Sequence, residues 1–256
     1  MNAFILAAGL GTRLRPLTDT MPKALIPVCG KPLLQILLER LKNDGFDQIV
    51  VNVHHFASQI TDFLNANQNF GLDIRISDET GHLLGTGGAI RKGGQLFTNE
   101  KPFLVHNVDI LHNLDLGSFY KQNAQPNEAV LLTSPRKTQR YLAFETSDTR
   151  LIGWTNLKTG EVKSPFPGAI ARLKEQITTG KEYLHLSAFS GIHIVPADMV
   201  NAMQTWPEEF SIIDFYLDAC AQGTVRGVEK ENLKLVDVGK LDTLHTAESF
   251  LQEING

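Results

Sequence analysis

The residues best suited to chemistry lie early in the chain, in Leu6-Ala7-Ala8-Gly9-Leu10-Gly11-Thr12-Arg13-Leu14-Arg15-Pro16 and, shortly after, Met21-Pro22-Lys23-Ala24. An apolar run ending in small residues and glycines lets backbone N–H groups approach a polyanion with no Cβ in the way. Arg13, Arg15 and Lys23 add positive charge to the same stretch. Such a loop belongs outside the carboxyl end of a strand, where open α/β sheets bind ligands. A lone Gly-x-Gly is better explained as a tight turn with solvated basic residues, so further segments must decide. Two other phosphate loops are excluded. No Gly-Lys-Ser or Gly-Lys-Thr completes a Walker pattern, and Leu14 stands where the dinucleotide fingerprint needs its third glycine.

A second glycine cluster, Leu84-Gly85-Thr86-Gly87-Gly88-Ala89-Ile90, reads on its own equally well as a Thr-capped helix start with glycines for close packing. Asp109, which ends the apolar run from Pro102, and Asp237, in Val236-Asp237-Val238-Gly239, read individually as helix caps or as ligands. His54-His55 offers adjacent imidazoles with no third ligand nearby, so zinc is not expected. The remaining histidines form no nucleophile-base pattern. Cys29, between Val28 and Gly30, is expected to be a small buried side chain, and Phe63, Phe70, Phe97 and Phe103 are expected in the core.

Over its whole length the first segment resembles the signature loop of the sugar-1-phosphate nucleotidylyltransferases, with Gly9 to Arg13 and Pro22-Lys23 at that family's spacing. The likeness extends over nearly the full chain. Leu84 to Ile90 is similar to the family's second glycine loop, Asn107-Val108-Asp109 and Val236-Asp237-Val238-Gly239 resemble its two metal aspartate motifs, and Phe189-Ser190-Gly191-Ile192-His193-Ile194 resembles its sugar-side strand. The resemblance implies an enzyme that joins a nucleoside triphosphate to a sugar 1-phosphate, giving a nucleotide sugar and pyrophosphate. It implies nucleotide contacts from Ala7, Ala8, Gly9, Gly11, Thr12, Arg13, Gly85, Thr86 and Gly87, and Mg²⁺ on Asp109 and Asp237. Arg13 and Lys23 are then the catalytic cations, and Asn107 and Gly191 face the sugar phosphate.

The chemistry suits these residue types. The attacking phosphate has a second pKa near ~6 and is largely anionic at neutral pH, so no catalytic base is required. The obstacle is repulsion between two polyanions and charge on the leaving pyrophosphate, which positioned cations and backbone donors relieve. Two departures stand out. Val108 occupies the usual glycine before the first metal aspartate, and no Glu-Lys-Pro occurs between Leu151 and Leu184. Arg136, Arg140, Lys158 and Lys174 are the candidates to replace that lysine, with Arg140 favoured because it abuts the strand Tyr141 to Glu145. Within the family, the compact length and missing triplet are most similar to the branch acting on UTP and N-acetylmuramate 1-phosphate. The second glycine loop also resembles guanylyltransferases for mannose or heptose 1-phosphate. Cytidylyltransferases for phosphocholine, and a regulatory module that binds a nucleotide sugar without turnover, are the rivals from other classes.

In the elements that must hold these residues, short apolar runs alternate with helical patterns through the first half, the rhythm of βαβ units. Strands are expected at Phe4 to Ala7, Gln48 to Val53, Leu72 to Ile76 and Pro102 to His106, and a helix carries Leu33, Leu34, Leu37, Leu38 and Leu41. A further helix begins at Asp115, capped by Asp115 or Asn113. In the second half, strands are expected at Ala129 to Thr133, Tyr141 to Glu145, Leu151 to Trp154, Leu184 to Val195, Val225 to Val228 and Leu233 to Val238. Helices are expected at Ser211 to Cys220 and Asp242 to Leu251, while Asn156 to Lys181 reads as a loop or insertion over the site. The fold expected is a Rossmann-like three-layer α/β/α domain with a mixed, mostly parallel sheet. It forms one unit, 1–256, with a nucleotide-binding half of about 1–125 and a sugar-phosphate half of about 126–256.

Composition limits the alternatives. With 42% hydrophobic and 20% charged residues the chain can build a core and is not of the disordered class. A net charge of -4 provides no global field for nucleic acid or an acidic membrane, so an anionic ligand must be met locally. Two distant cysteines make no disulfide framework, and no run approaches the ~20 apolar residues of a membrane span. The expectation is a cytoplasmic monomer or homodimer.

Overall fold

A computed structural model describes residues 1–255. Strand β1 (Asn2–Leu6) leads through three single-turn 3-10 helices into a hairpin of β2 (Pro27–Val28) and β3 (Lys31–Pro32). Then come α1 (Leu33–Asn43), β4 (Gln48–Val53), α2 (Ala57–Ala66), β5 (Asp73–Asp78) and α3 (Gly85–Gly94). The first half closes with β6 (Phe103–Asn107), β7 (Ile110–His112) and α4 (Leu116–Asn123). The second half holds β8 (Ala129–Ser134), β9 (Arg140–Phe144), β10 (Leu151–Asn156), β11 (Glu161–Lys163), α5 (Pro167–Thr179) and β12 (His185–Val195). Helices α6 (Ala197–Ala202) and α7 (Ile212–Ala219), strands β13 (Val225–Glu229) and β14 (Leu235–Asp237) and helix α8 (Thr243–Asn255) complete it.

The main sheet runs β11-β10-β9-β12-β6-β1-β4-β5, with β8 and β13 branching from β12. The segment β6-β1-β4-β5 is parallel, in register Phe103↔Asn2↔Gln48↔Asp73. Strand β12 joins this half to the other, antiparallel to β6, β8 and β9. The sheet is mixed, and its parallel half has the doubly wound arrangement of a Rossmann-like fold. Period-two alternation sorts the strand residues into two layers. Ala3, Ile5, Ile49, Val51 and Leu104 face the leucines of α1 together with α2 and α8, while Phe4, Val50, Phe103 and Val105 face α3, α6 and α7.

Local sequence explains the elements. All five leucines expected on one face of α1 are buried. The helix ends where Gly45 (φ 88) lets the Phe46 and Gly45 N–H groups return to the carbonyls of Leu41 and Lys42, at 2.9 and 3.1 Å. Asp115 caps α4 by accepting from the Ser118 N–H at 2.7 Å. In α3, glycine permits contact with the sheet: a Cβ on Gly93 would lie 2.1 Å from the Phe4 ring.

Several expectations need correction. The stretch Asn156 to Lys181 is not a loop but contains β11 and the thirteen-residue α5, whose Ala169, Leu173 and Gln176 are buried. Its proline and glycine mark the ends: Pro167 opens the helix, and Gly180 (φ 74) closes it in the left-handed conformation. The apolar period is broken by Gln176, which is held by Leu184 O at 3.0 Å and by the N–H groups of Tyr183 and Leu184. Cys29 is exposed rather than buried, because it occupies a left-handed turn position (φ 48) at the tip of the β2–β3 hairpin. The strand expected from Leu233 shortens to β14, which pairs with β7 alone. Of the four phenylalanines, Phe103 is fully buried, and Phe63, Phe70 and Phe97 are half-buried at the core margin.

Candidate active site

A cleft of about 470 Å³ opens at the carboxyl ends of β1 and β6. It is lined by the loop from Ala7 to Arg13, by Gly85 and Thr86, by Asn107, Val108 and Asp109, and by Lys23 and Gly239, which lie against Gly11 and Arg13 of the loop. Gly11 adopts φ 61 and sits so tightly that a Cβ would approach Thr18 Cγ2 to 2.8 Å and Lys23 Cβ to 3.2 Å. Thr18 fastens the turn by donating to Gly11 O at 2.9 Å.

Asn52 and Glu79 organise this wall, and sequence reading missed both. Asn52 Oδ1 accepts from the N–H groups of Ala7 (2.6 Å) and Ala8 (3.2 Å). Those two donors are therefore committed to the protein. Asn52 Nδ2 donates to Glu79 Oε1 at 2.8 Å, and Glu79 Oε2 accepts from the Leu84 N–H at 3.2 Å. A buried carboxylate thus ties the two glycine loops together. The signal in the sequence was Asn52 itself, a polar residue in the otherwise apolar run Ile49 to Val53, since buried polar groups require partners.

The charged centre is assembled by a two-stranded ladder. Strands β7 and β14 pair with Ile110 opposite Asp237, and the Val238 N–H donates to Asp109 O at 2.9 Å, so the two aspartates lie side by side. Lys23, itself 9% exposed, forms an ion pair with Asp109. Gly239 permits the convergence, because a Cβ there would meet Asp237 Oδ1 at 2.7 Å and Arg13 Nη2 at 3.0 Å. Asp237 is exposed and does not itself line the cleft, yet its carboxyl is pushed above the ordinary range, first by desolvation within the surrounding protein and next by Asp109; Lys23 and Arg13 pull it the other way. Two carboxylates that disfavour each other's charge are a donor set that a hard divalent cation relieves. Mg²⁺ takes one or two carboxylates and completes its shell with water and phosphate oxygens, so these residues fit it. Among the described residues no group of three or more metal-ligating side chains occurs. Val108, in place of glycine, is not among the residues with positive φ, and its side chain joins the core. The backbone here needs no glycine.

The other expected residues divide. Thr86 lines the cleft, but its hydroxyl accepts from the Ile212 N–H at 2.9 Å, capping α7 rather than its own helix. Gly87 is buried, with a Cβ position 2.2 Å from the Phe210 ring, so its place in the fold is close packing. Gly191 (φ 80) lies where the β12–β8 register shifts, and a Cβ there would strike Asn107 Nδ2 at 2.7 Å. It seats Asn107 without lining the cleft. Arg140 does not reach this cleft; it lines a second cavity of about 350 Å³ together with Arg136 and Lys163.

Residues 2–145 match the nucleotidyl transferase family model. The chain is 34% identical over 253 residues to the N-acetylmuramate alpha-1-phosphate uridylyltransferase of Caulobacter vibrioides, covering 98% of this chain and 97% of that protein. It is 42% identical over 251 residues to the UTP–glucose-1-phosphate uridylyltransferase of Synechocystis, but those cover 94% of this chain and only 61% of that relative's length. The crystal structure of a UDP-glucose pyrophosphorylase complexed with UDP-glucose superposes with a TM-score of 0.72 at 17% identity, covering 98% of each chain, a likeness of fold. With a family model spanning more than half of its residues and a relative aligned end to end, the chain belongs to the nucleotidyl transferase family.

Proposed function

We propose that the protein is a sugar-1-phosphate nucleotidylyltransferase that uses UTP and N-acetylmuramate 1-phosphate. The observation that carries this reading is the meeting of Arg13, Lys23, Asp109 and Asp237 beside a glycine loop at the ends of parallel strands. An acceptor phosphate oxygen forms a bond to the α-phosphorus while the bond from that phosphorus to the β-phosphate oxygen breaks, and pyrophosphate leaves with the electron pair. No protein base is needed, because the nucleophile is already ionised near neutrality. The loop after Ala8 receives the triphosphate, Arg13 meets charge growing on the leaving pyrophosphate, and Lys23 exchanges Asp109 for phosphate oxygens near the α-phosphorus. Magnesium held by Asp109 and Asp237 would neutralise phosphate charge at the same point.

The N-acetylmuramate assignment is supported by the Caulobacter relative, whose length this chain matches almost completely. In this reading the halves about 1–125 and 126–256 handle nucleotide and sugar phosphate respectively, and the reaction draws on cytoplasmic nucleotide pools. The test is pyrophosphate release from UTP, GTP, CTP and dTTP against N-acetylmuramate, N-acetylglucosamine, glucose, mannose and heptose 1-phosphates and phosphocholine, with and without magnesium. Preference for UTP with N-acetylmuramate 1-phosphate is expected. A preference for glucose 1-phosphate would correct the acceptor, and no release from any pair would remove the enzyme reading.

A further inference from the structure

The second cavity carries charge that the first does not explain. It is lined by Arg136, Arg140 and Lys163 against a single acid, Asp214, with Tyr141, Trp154 and Phe189 supplying aromatic surface. Lys163 is neutralised by Asp214 at 3.0 Å and lies 5.5 Å from the Trp154 ring centroid. Arg136 is steered by one hydrogen bond from Nη2 to Phe189 O at 2.9 Å, which leaves most of its donors open. The Arg140 side chain has no hydrogen-bond or ion-pair partner among the described residues. Two guanidinium charges are thus held at the cavity without a counter-charge. The two cavities share no lining residue but are linked through the fold at two places. Thr86, in the first, binds the Ile212 N–H between the Ser211 and Ile213 of the second, and Gly191, which seats Asn107, is two residues from Phe189.

In the reading above, an acceptor's phosphate must reach Lys23 and Arg13 in the first cleft. Cations in the second cavity then meet the opposite end of the same molecule, across aromatic faces suited to a sugar ring. Guanidinium groups select planar, bidentate anions, and a carboxylate has that geometry. We infer that the second cavity binds a carboxylate carried on the sugar of the acceptor, with Arg136 and Arg140 as its ligands. This inference rests on the nucleotidylyltransferase reading and narrows the acceptor to acidic sugar 1-phosphates.

The test compares N-acetylmuramate 1-phosphate with N-acetylglucosamine 1-phosphate, which lacks the lactyl carboxylate, by calorimetric titration with magnesium and a non-hydrolysable UTP analogue present. The wild-type protein is expected to bind the acidic sugar at least about tenfold more tightly, the scale of one charge-assisted hydrogen bond. Arg136→Ala with Arg140→Ala should bring the ratio of the two affinities close to one, and the paired lysine variant should restore part of it. Should the double variant fail to fold, as judged by its melting curve, Arg140→Ala alone serves. A wild-type ratio near one, or equal losses for both ligands in the variant, would overturn the inference; equal losses would make the arginines ligands of the 1-phosphate. Discrimination by carboxylate that persists while no substrate pair releases pyrophosphate would instead sink the enzyme reading and leave the carboxylate site standing.

Discussion

Asp237 shows how a candidate site residue can work against the stability of its own fold. Its carboxyl is raised by desolvation and by Asp109, so between the unfolded pKa and the higher folded one the native state binds the extra proton. Stability from this group is present at low pH and is lost as pH rises through the folded pKa. Asp237→Asn should therefore keep or raise the melting temperature of the metal-free protein at pH 7, while pyrophosphate release at limiting magnesium falls by about 10²-fold or more. A variant with wild-type turnover would remove Asp237 from the site. Glu79 makes the opposite case. It is 2% exposed and holds both Asn52 and the Leu84 N–H, so Glu79→Ala should loosen the two loops together. Loss of a buried partner costs about 1–3 kcal/mol. The expected result is a lower melting temperature with a raised KM for the nucleotide, and Glu79→Gln should recover only part of either, because its one oxygen replaces two acceptors and its NH2 group meets a donor.

At the scale of elements, the second glycine loop is positioned by packing as much as by ligand access. The Gly87 N–H donates to Phe210 O at 2.9 Å and the Phe210 N–H to Leu84 O at 3.2 Å, so the start of α3 docks on the segment before α7. Gly87→Ala would put a methyl group into the Phe210 ring, at a Cβ distance of 2.2 Å. Overpacking of this kind costs about 1–3 kcal/mol, so a melting temperature lower by several degrees is expected. An unchanged melting temperature would show that Phe210 moves freely, and the docking would not be tight. The sequence made α1 legible because five leucines and Gly45 stated its face and its end. Helix α5 was not legible, since the residue completing its buried stripe is Gln176, whose polarity is satisfied only by backbone groups of Tyr183 and Leu184 after folding.

Across the whole molecule, a seam of buried histidines joins the two halves. His106 on β6 and His193 on β12 belong to adjacent strands, the His106 and His112 rings lie 5.1 Å apart, and His193 pairs with Tyr216 OH at 2.9 Å. Burial pushes His106 down to about 4 and His193 to about 3. Unfolding raises these pKa values to the ordinary 6.5, so the unfolded chain binds more protons below that pH. Stability is complete above about 6.5 and falls with acid until the folded pKa values are reached, by about 1.4 kcal/mol per pH unit for each histidine. Urea midpoints measured from pH 7.5 to 4.5 should fall along that slope, and His193→Gln should flatten it. A wild-type midpoint independent of pH would show that the histidines are not buried in neutral form.

The amino-acid sequence by itself showed the βαβ rhythm, and through the resemblance of its short motifs it pointed to the family and to Arg13, Lys23, Asp109 and Asp237 as candidates. Tertiary structure alone decided what each residue is free to do. Asp109 and Asp237 are 128 residues apart in the chain and become neighbours only through the pairing of β7 with β14. Ala7 and Ala8 lose their N–H groups to Asn52, Gly87 and Gly191 serve close packing, and Arg140 belongs to a second cavity beside Arg136. Spacing along the chain specifies backbone conformation within a few residues, but a hydrogen-bond donor is committed, and a charge matched, only by groups that folding brings from elsewhere.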